Sequence, residues 1–220
     1  KALFQMAELE SARGDFEATE QWLRRAIAIA PDPFLLDRLA SVLQSAGKGA
    51  EARALLAERI QSAPEDPAAV YRLGQLLLDE GDVAAAIPLL RRAVVLGPDD
   101  VDSHLALGNA LATAGSHEEA IEALRAAVAL SPCLAQAQSN LGASYAALGR
   151  ISEAIRSFEK AVSCDPTYAL GYKNLAAMEL ERGNVTAAVD AMRAAVRVSG
   201  DDPELKRMLD ELVAYERTRH

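Results

Sequence analysis

The chain has 220 residues and a formal net charge of −9, from 23 Lys and Arg against 32 Asp and Glu. Half of its residues are hydrophobic, which excludes a disordered tail, and the acidic excess argues against a general nucleic-acid binder, which needs a positive field over phosphates. Two cysteines exclude a disulfide scaffold, and no uncharged apolar run reaches the about 18 residues of a membrane span.

Alanine is about a fifth of the chain and aromatics are 5%. Ala and Leu are strong helix formers while strand formers are scarce, so an all-α protein with closely approaching helices is expected. Arginine outnumbers lysine 18 to 5, a usage associated with GC-rich bacterial genomes. Residues 1–20 carry acids and lack the apolar stretch of a signal peptide.

Taken from the N-terminus, the chain is punctuated at a fixed interval. Glycine recurs at Gly14, Gly47, Gly81, Gly115, Gly149 and Gly183, in steps of 33, 34, 34, 34 and 34. Proline follows each of the first five glycines by 17 residues, at Pro31, Pro64, Pro98, Pro132 and Pro166, and Gly200 takes the sixth place. Apolar residues between these breakers keep helical spacing, as in Val70, Leu73, Gly74 and Leu77. Each unit therefore reads as helix, glycine turn, helix, stop. Asp32-Pro33, Asp66-Pro67 and Asp202-Pro203 place an N-cap acid before a proline at the first helical position. Asp15, Asp82, Ser116 and Asn184 follow their glycines as caps of second helices, and Ser116 with Glu119 is expected to form a capping box.

Small and large positions recur in the same register. The first helices carry Ala7, Ala40, Gly74, Gly108, Gly142 and Ala176, each preceded by an aliphatic residue. The second helices carry small residues at Ala52, Ala86, Ala120, Ala154 and Ala188, with Thr19 in the first unit. A second small column reads Ala26, Arg59, Ala93, Ala127, Ala161 and Ala195. Between the columns stand Leu23, Leu56, Leu90, Leu124, Phe158 and Met192.

This pattern resembles the tetratricopeptide repeat along the whole chain. The resemblance implies an all-α fold, a right-handed α-solenoid of antiparallel helix pairs. It divides residues 1–202 into six repeats, about 1–32, 33–66, 67–100, 101–134, 135–168 and 169–202. Residues 203–220 are then a C-terminal capping helix whose polar face closes the stack. The N-terminal end has no such cap, and an excised or processed product is expected. Arg59 stands where the pattern wants a small residue, and its stem is expected to snorkel so that the guanidinium reaches solvent. Pro88 is expected to bend its helix slightly.

No catalytic constellation is visible, so the chain is expected not to be an enzyme. Gly47-Lys48-Gly49 lacks the spacing of a phosphate loop, and no cofactor motif is present. His104, His117 and His220 have no second ligand at helical spacing, so no metal site is expected. Cys133 and Cys164, one repeat apart, are expected as small buried thiols.

In the family the first helices line a concave groove, and similarity assigns this chain the same. The groove residues are then Arg38, Tyr71, Arg72, Gln75, Asn109, Gln136, Asn140, Lys173 and Asn174. Asn and Gln both donate and accept hydrogen bonds and suit an extended peptide backbone. Tyr71 and Arg72 flank one side and Lys173 the other, able to hold apolar area and carboxylate. Chaperone-binding members carry a carboxylate clamp; Asn109 and Asn140 match its two Asn places, but Leu105, Leu170 and Asn174 replace its basic ones, so that motif is not an expected ligand. Glycosyltransferase arms carry an asparagine ladder, of which Asn140 and Asn174 are two rungs, while Arg38, Arg72 and Ala106 occupy the earlier ones.

Three functions stay open. The leading one is an interaction scaffold that holds a protein or peptide segment in the groove. The second is the substrate-targeting arm of a larger glycosyltransferase or sulfotransferase. The third is a self-assembling scaffold, a homo-oligomer formed through repeat edges. A cytoplasmic location is expected, with the periplasm left open, and neither nucleic acid nor membrane insertion is expected.

Overall fold

The structure is a computed structural model that describes residues 2–200 and 202–218. His220 lies outside the described residues. Thirteen helices are described: α1 (Ala2–Ala12), α2 (Phe16–Ile29), α3 (Pro33–Ser45), α4 (Gly49–Ser62), α5 (Pro67–Asp79), α6 (Val83–Leu96), α7 (Val101–Thr113), α8 (His117–Leu130), α9 (Ala135–Ala147), α10 (Ile151–Cys164), α11 (Ala169–Glu181), α12 (Val185–Ser199) and α13 (Pro203–Thr218). No described residue is in a strand, and no described helix is long and apolar enough to cross a membrane.

One turn design joins the helices of a pair six times. The amide of the residue after each turn glycine donates to a carbonyl five residues back, as in Asp82 to Leu77 at 2.8 Å and Arg150 to Tyr145 at 2.9 Å. This closure puts the glycine in the left-handed region, with φ from 69° to 88° across the six turns, where a Cβ is strained. The residue that closes one helix then starts the next. Asp15, Asp82 and Asn184 accept from Ala18, Ala85 and Ala187 at 2.9, 3.1 and 3.3 Å. Ser116 differs from expectation, because its side chain makes no cap hydrogen bond. Asp32, Asp66 and Asp202 cap α3, α5 and α13 as their Asp-Pro dipeptides predict. Helix α6 continues through Pro88 without a break.

The small column exists because a large side chain needs its space. A Cβ on Gly108 would lie 2.5 Å from Leu124, and one on Gly142 would lie 2.8 Å from the Phe158 ring. Leu90, Leu124 and Phe158 are accordingly buried to within 2% of completely. Each such side chain contributes about 1.5–3 kcal/mol of burial.

The chain forms two compact units, Lys1–Pro98 and Asp99–His220. In the first, α1 to α6 pack in sequence and α3 also touches α5. Its core gathers Ala7, Leu23, Leu39, Leu43, Leu56 and Leu76. In the second, α7 to α13 pack in sequence, α7 also touches α9, and α9 touches α11. Its last core cluster joins Val189 and Met192 of α12 to Leu205 and Leu212 of α13. Stacked antiparallel helix pairs thus make each unit an all-α solenoid segment, with its first helices side by side.

Two expectations are corrected by the packing. Arg59 does not reach solvent: its side chain is 7% exposed. It donates to Asp66 at 2.9 and 2.6 Å, to the Pro33 carbonyl at 3.2 Å, and to Asp37. A guanidinium fork can satisfy all three acceptors at once, so burial with partners replaces snorkelling. Cys133 and Cys164 are not thiols. They form a disulfide with Cα atoms 5.2 Å apart, Cys133 exposed in the turn before α9 and Cys164 at the end of α10. The intervening hairpin folds both turns to the same edge, a juxtaposition that spacing alone does not reveal.

Candidate functional site

In the second unit, the contacts of α9 with α7 and α11 bring the amide residues of successive first helices together. Asn140 Nδ2 donates to Asn109 Oδ1 at 2.6 Å. Both side chains are half-buried. Their backbone carbonyls accept from Thr113 Oγ1 at 2.9 Å and Ser144 Oγ at 3.0 Å, which anchors both residues from within their own helices. The Asn109 amide N–H groups and Asn140 Oδ1 have no hydrogen-bond partner among the described residues. The pair therefore presents a donor beside an acceptor, the complement of one peptide unit. Gln136 lies exposed in the first turn of α9.

The same unit opens into a cleft between α11 and α13. It encloses about 520 Å³, with Lys173, Asn174 and Leu180 on α11, Met208 and Tyr215 on α13, and Met192 of α12 at its base. Leu180 and Tyr215 are 39% and 46% exposed, large apolar surfaces for water to cover. Lys173 is not an unoccupied cation, because its Nζ is 3.6 Å from Glu204. Both partners are exposed and the pair is weak, so a ligand carboxylate can compete for it. The contribution of α13 goes beyond the polar cap expected of it. Its signal is present in the sequence as Met208, Leu212 and Tyr215, spaced i, i+4 and i+7.

The first unit is different. Arg38 Nη2 is 2.6 Å from Glu8, so its charge is already matched. Arg72 lies 5.9 Å from the Tyr71 ring centroid, over its face. Arg72 and Gln75 border a cleft of only about 50 Å³ with Asp37, Ser41 and Gln44. Gln44 is spent on Asp79 at 2.7 Å, and Asp37 on Arg59. Burial pushes the Asp37 carboxyl above its ordinary pKa, against the opposing pull of Arg59 and Arg72. The Gln75 amide makes no hydrogen bond with a described residue, but its neighbours Asp37 and Gln44 are taken and the small cleft leaves little room for a ligand.

No group of three or more metal-ligating side chains occurs among the described residues. His117 Nδ1 is buried without a hydrogen-bond partner.

Comparison with known proteins agrees with this architecture. A family model described as "Tetratricopeptide repeat" matches residues 38–101, 81–135, 105–169 and 139–203. No curated protein sequence matches. Among solved structures, one of MamA superposes with a TM-score of 0.70 at 25% identity, covering 73% of this chain and 94% of that one. YrrB, described as a TPR protein with an unusual peptide-binding site, gives 0.69 at 20% identity, covering 84% and 96%. TTC0263 of Thermus thermophilus, described as a thermophilic TPR protein, gives 0.61 at 24% identity, covering 81% and 97%.

Proposed function

Because the chain belongs to the tetratricopeptide repeat family, we propose that this interaction scaffold holds an extended protein segment along the first-helix face of its second unit. The segment runs from the Asn109–Asn140 pair to the cleft between α11 and α13. Asn109, Asn140 and Asn174 bond its backbone, and an apolar side chain enters between Leu180, Met208 and Tyr215. The observation that carries this reading is the cleft of about 520 Å³, large enough for a bulky side chain and continuous with helices that bear the amides. Similarity in fold to YrrB, a protein described by its peptide-binding site, is in keeping with it. On this reading the chain acts by binding and carries out no chemistry itself. Affinity is modest, since an extended segment loses conformational entropy on ordering.

The Cys133–Cys164 bond favours an oxidising compartment, the periplasm of the two locations open to the sequence.

A displayed random-peptide library panned on the protein tests the site. Selected peptides are expected to share an apolar residue and to lose binding to Leu180→Arg. Asn109→Ala with Asn140→Ala is expected to weaken them by about 1–3 kcal/mol, through lost bonds to half-buried amides. Peptides that bind all three proteins equally would move the site elsewhere.

A further inference from the structure

The second helices of the second unit carry a feature that the segment-binding face does not use. A groove of about 560 Å³ lies over α8, α9 and α10. Its charged lining is Arg125, Arg150, Arg156 and Lys160 against a single carboxylate, Glu153. Four cations to one acid is a local reversal in a chain of net charge −9. Glu153 is already held by Arg150 at 2.9 and 2.7 Å, and that bonding keeps its carboxyl below the ordinary range. Arg150 also lies over the Tyr145 ring, 4.6 Å from its centroid. Arg125, Arg156 and Lys160 are exposed and make no ion pair with any described residue. Arg156 also pulls on Glu153 electrostatically, yet that one carboxylate stands against four cations, so the groove keeps a net positive charge that attracts an anion.

Val128 and the exposed Ala129 give the groove apolar area beside the buried Leu141 and Tyr145, and Ser157, 7% exposed, also lines it. The Ser157 hydroxyl makes no hydrogen bond with any described residue, so one nearly buried donor faces the groove. Gln138, Leu141 and Tyr145 leave α9 on sides away from Asn140, so this groove is separate from the amide face.

We propose that this groove docks an acidic protein segment whose carboxylates meet Arg125, Arg156 and Lys160 while an interleaved apolar side chain packs against Val128 and Ala129. The charge complementarity is local and the floor is apolar. A nucleic acid would instead meet the acidic remainder of the chain. Such a site lets the protein hold two partners on different faces of its second unit, with α9 the one helix common to both.

The test is fluorescence anisotropy with a fluorescein-labelled peptide of alternating Glu and Val, and its twin with Gln for Glu. Wild type is expected to bind the acidic peptide, more weakly as salt rises, and to ignore the Gln twin. Arg156→Glu with Lys160→Glu is expected to weaken binding by about tenfold or more, and Arg125→Glu alone, on the other helix, in the same direction. Asn109→Ala with Asn140→Ala is expected to leave it unchanged, which separates this site from the amide face. All the replaced cations are exposed, and unchanged circular dichroism melts check that folding survives. The proposal is overturned by no binding to wild type, by equal binding of the Gln twin, or by indifference to either charge reversal. It is equally overturned if a single-stranded RNA oligonucleotide displaces the peptide and binds more tightly with the same charge dependence.

Discussion

Arg59 shows how one departure from a repeat pattern recruits its own support. In the other repeats the position is alanine, yet here Asp37, Asp66 and the Pro33 carbonyl all converge on the guanidinium. Arg59→Ala restores the pattern and is nevertheless expected to destabilise by about 1–3 kcal/mol, because it strands partly buried carboxylates. The midpoint of urea unfolding measures it; a neutral or stabilising result would mean the network contributes nothing. Gly142→Ala tests the opposite case, a position with no spare room. Its Cβ would meet the Phe158 ring at 2.8 Å, so a cost of about 1–3 kcal/mol is expected from displaced packing. Glu20 carries an acid-side dependence. Its hydrogen bonds from Lys48 and Arg24 hold its pKa below the ordinary value. The stabilisation is therefore complete above the unfolded pKa and is lost as pH falls through the folded one. Glu20→Gln is expected to be less stable than wild type at neutral pH and to converge with it in acid, as read by thermal melts across pH.

Helices behave here as interchangeable parts joined by a single turn geometry, and the disulfide is the exception to that interchangeability. It ties the turn before α9 to the end of α10, across a separation of 31 residues. Closing a loop of that length in the unfolded chain contributes about 3–4 kcal/mol in the chain-entropy view. Cys133→Ser with Cys164→Ser, or a reducing agent with wild type, is expected to lower the melting temperature, whereas the double mutant itself is expected to ignore reductant. A wild-type melt indifferent to reductant would count against the bond. Helix α13 has two duties. Leu205 and Leu212 cover α12, and Met208 and Tyr215 wall the cleft. Its removal exposes the first surface and opens the second, so stability and segment binding should fall together.

Taken whole, the chain gathers its described core into clusters within each unit. One centres on α1 to α5 and another on α11 to α13. Contacts are dominated by consecutive helices, which keeps sequence separation short and folding fast for the length. A fragment that begins at Asp99 and runs to the C-terminus is expected to fold alone, with a cooperative melt by circular dichroism. A fragment without such a melt would show that the division at Pro98 is geometric and not energetic.

The architecture was legible in the sequence because each of its causes is local. A glycine that must turn left-handed, an Asp-Pro cap and a small residue opposite a large one, 16 positions on, are all visible as spacing. Stacking follows from those pieces, since a single pair of helices cannot bury both its faces. The candidate site was legible in part. Helical position places Asn109 and Asn140 on the first-helix face, but their mutual bond depends on how α7 sits against α9. Spacing marks Arg38 and Lys173 as cations of that face, and packing sets Glu8 and Glu204 beside them. The Cys133–Cys164 bond, the buried Arg59 network and the cationic groove over α8 to α10 were not legible at all. Each depends on distances between side chains of different helices or turns, from 7 residues apart in Arg59–Asp66 to 31 in the disulfide, and periodicity places such residues on a face without saying which of them meet.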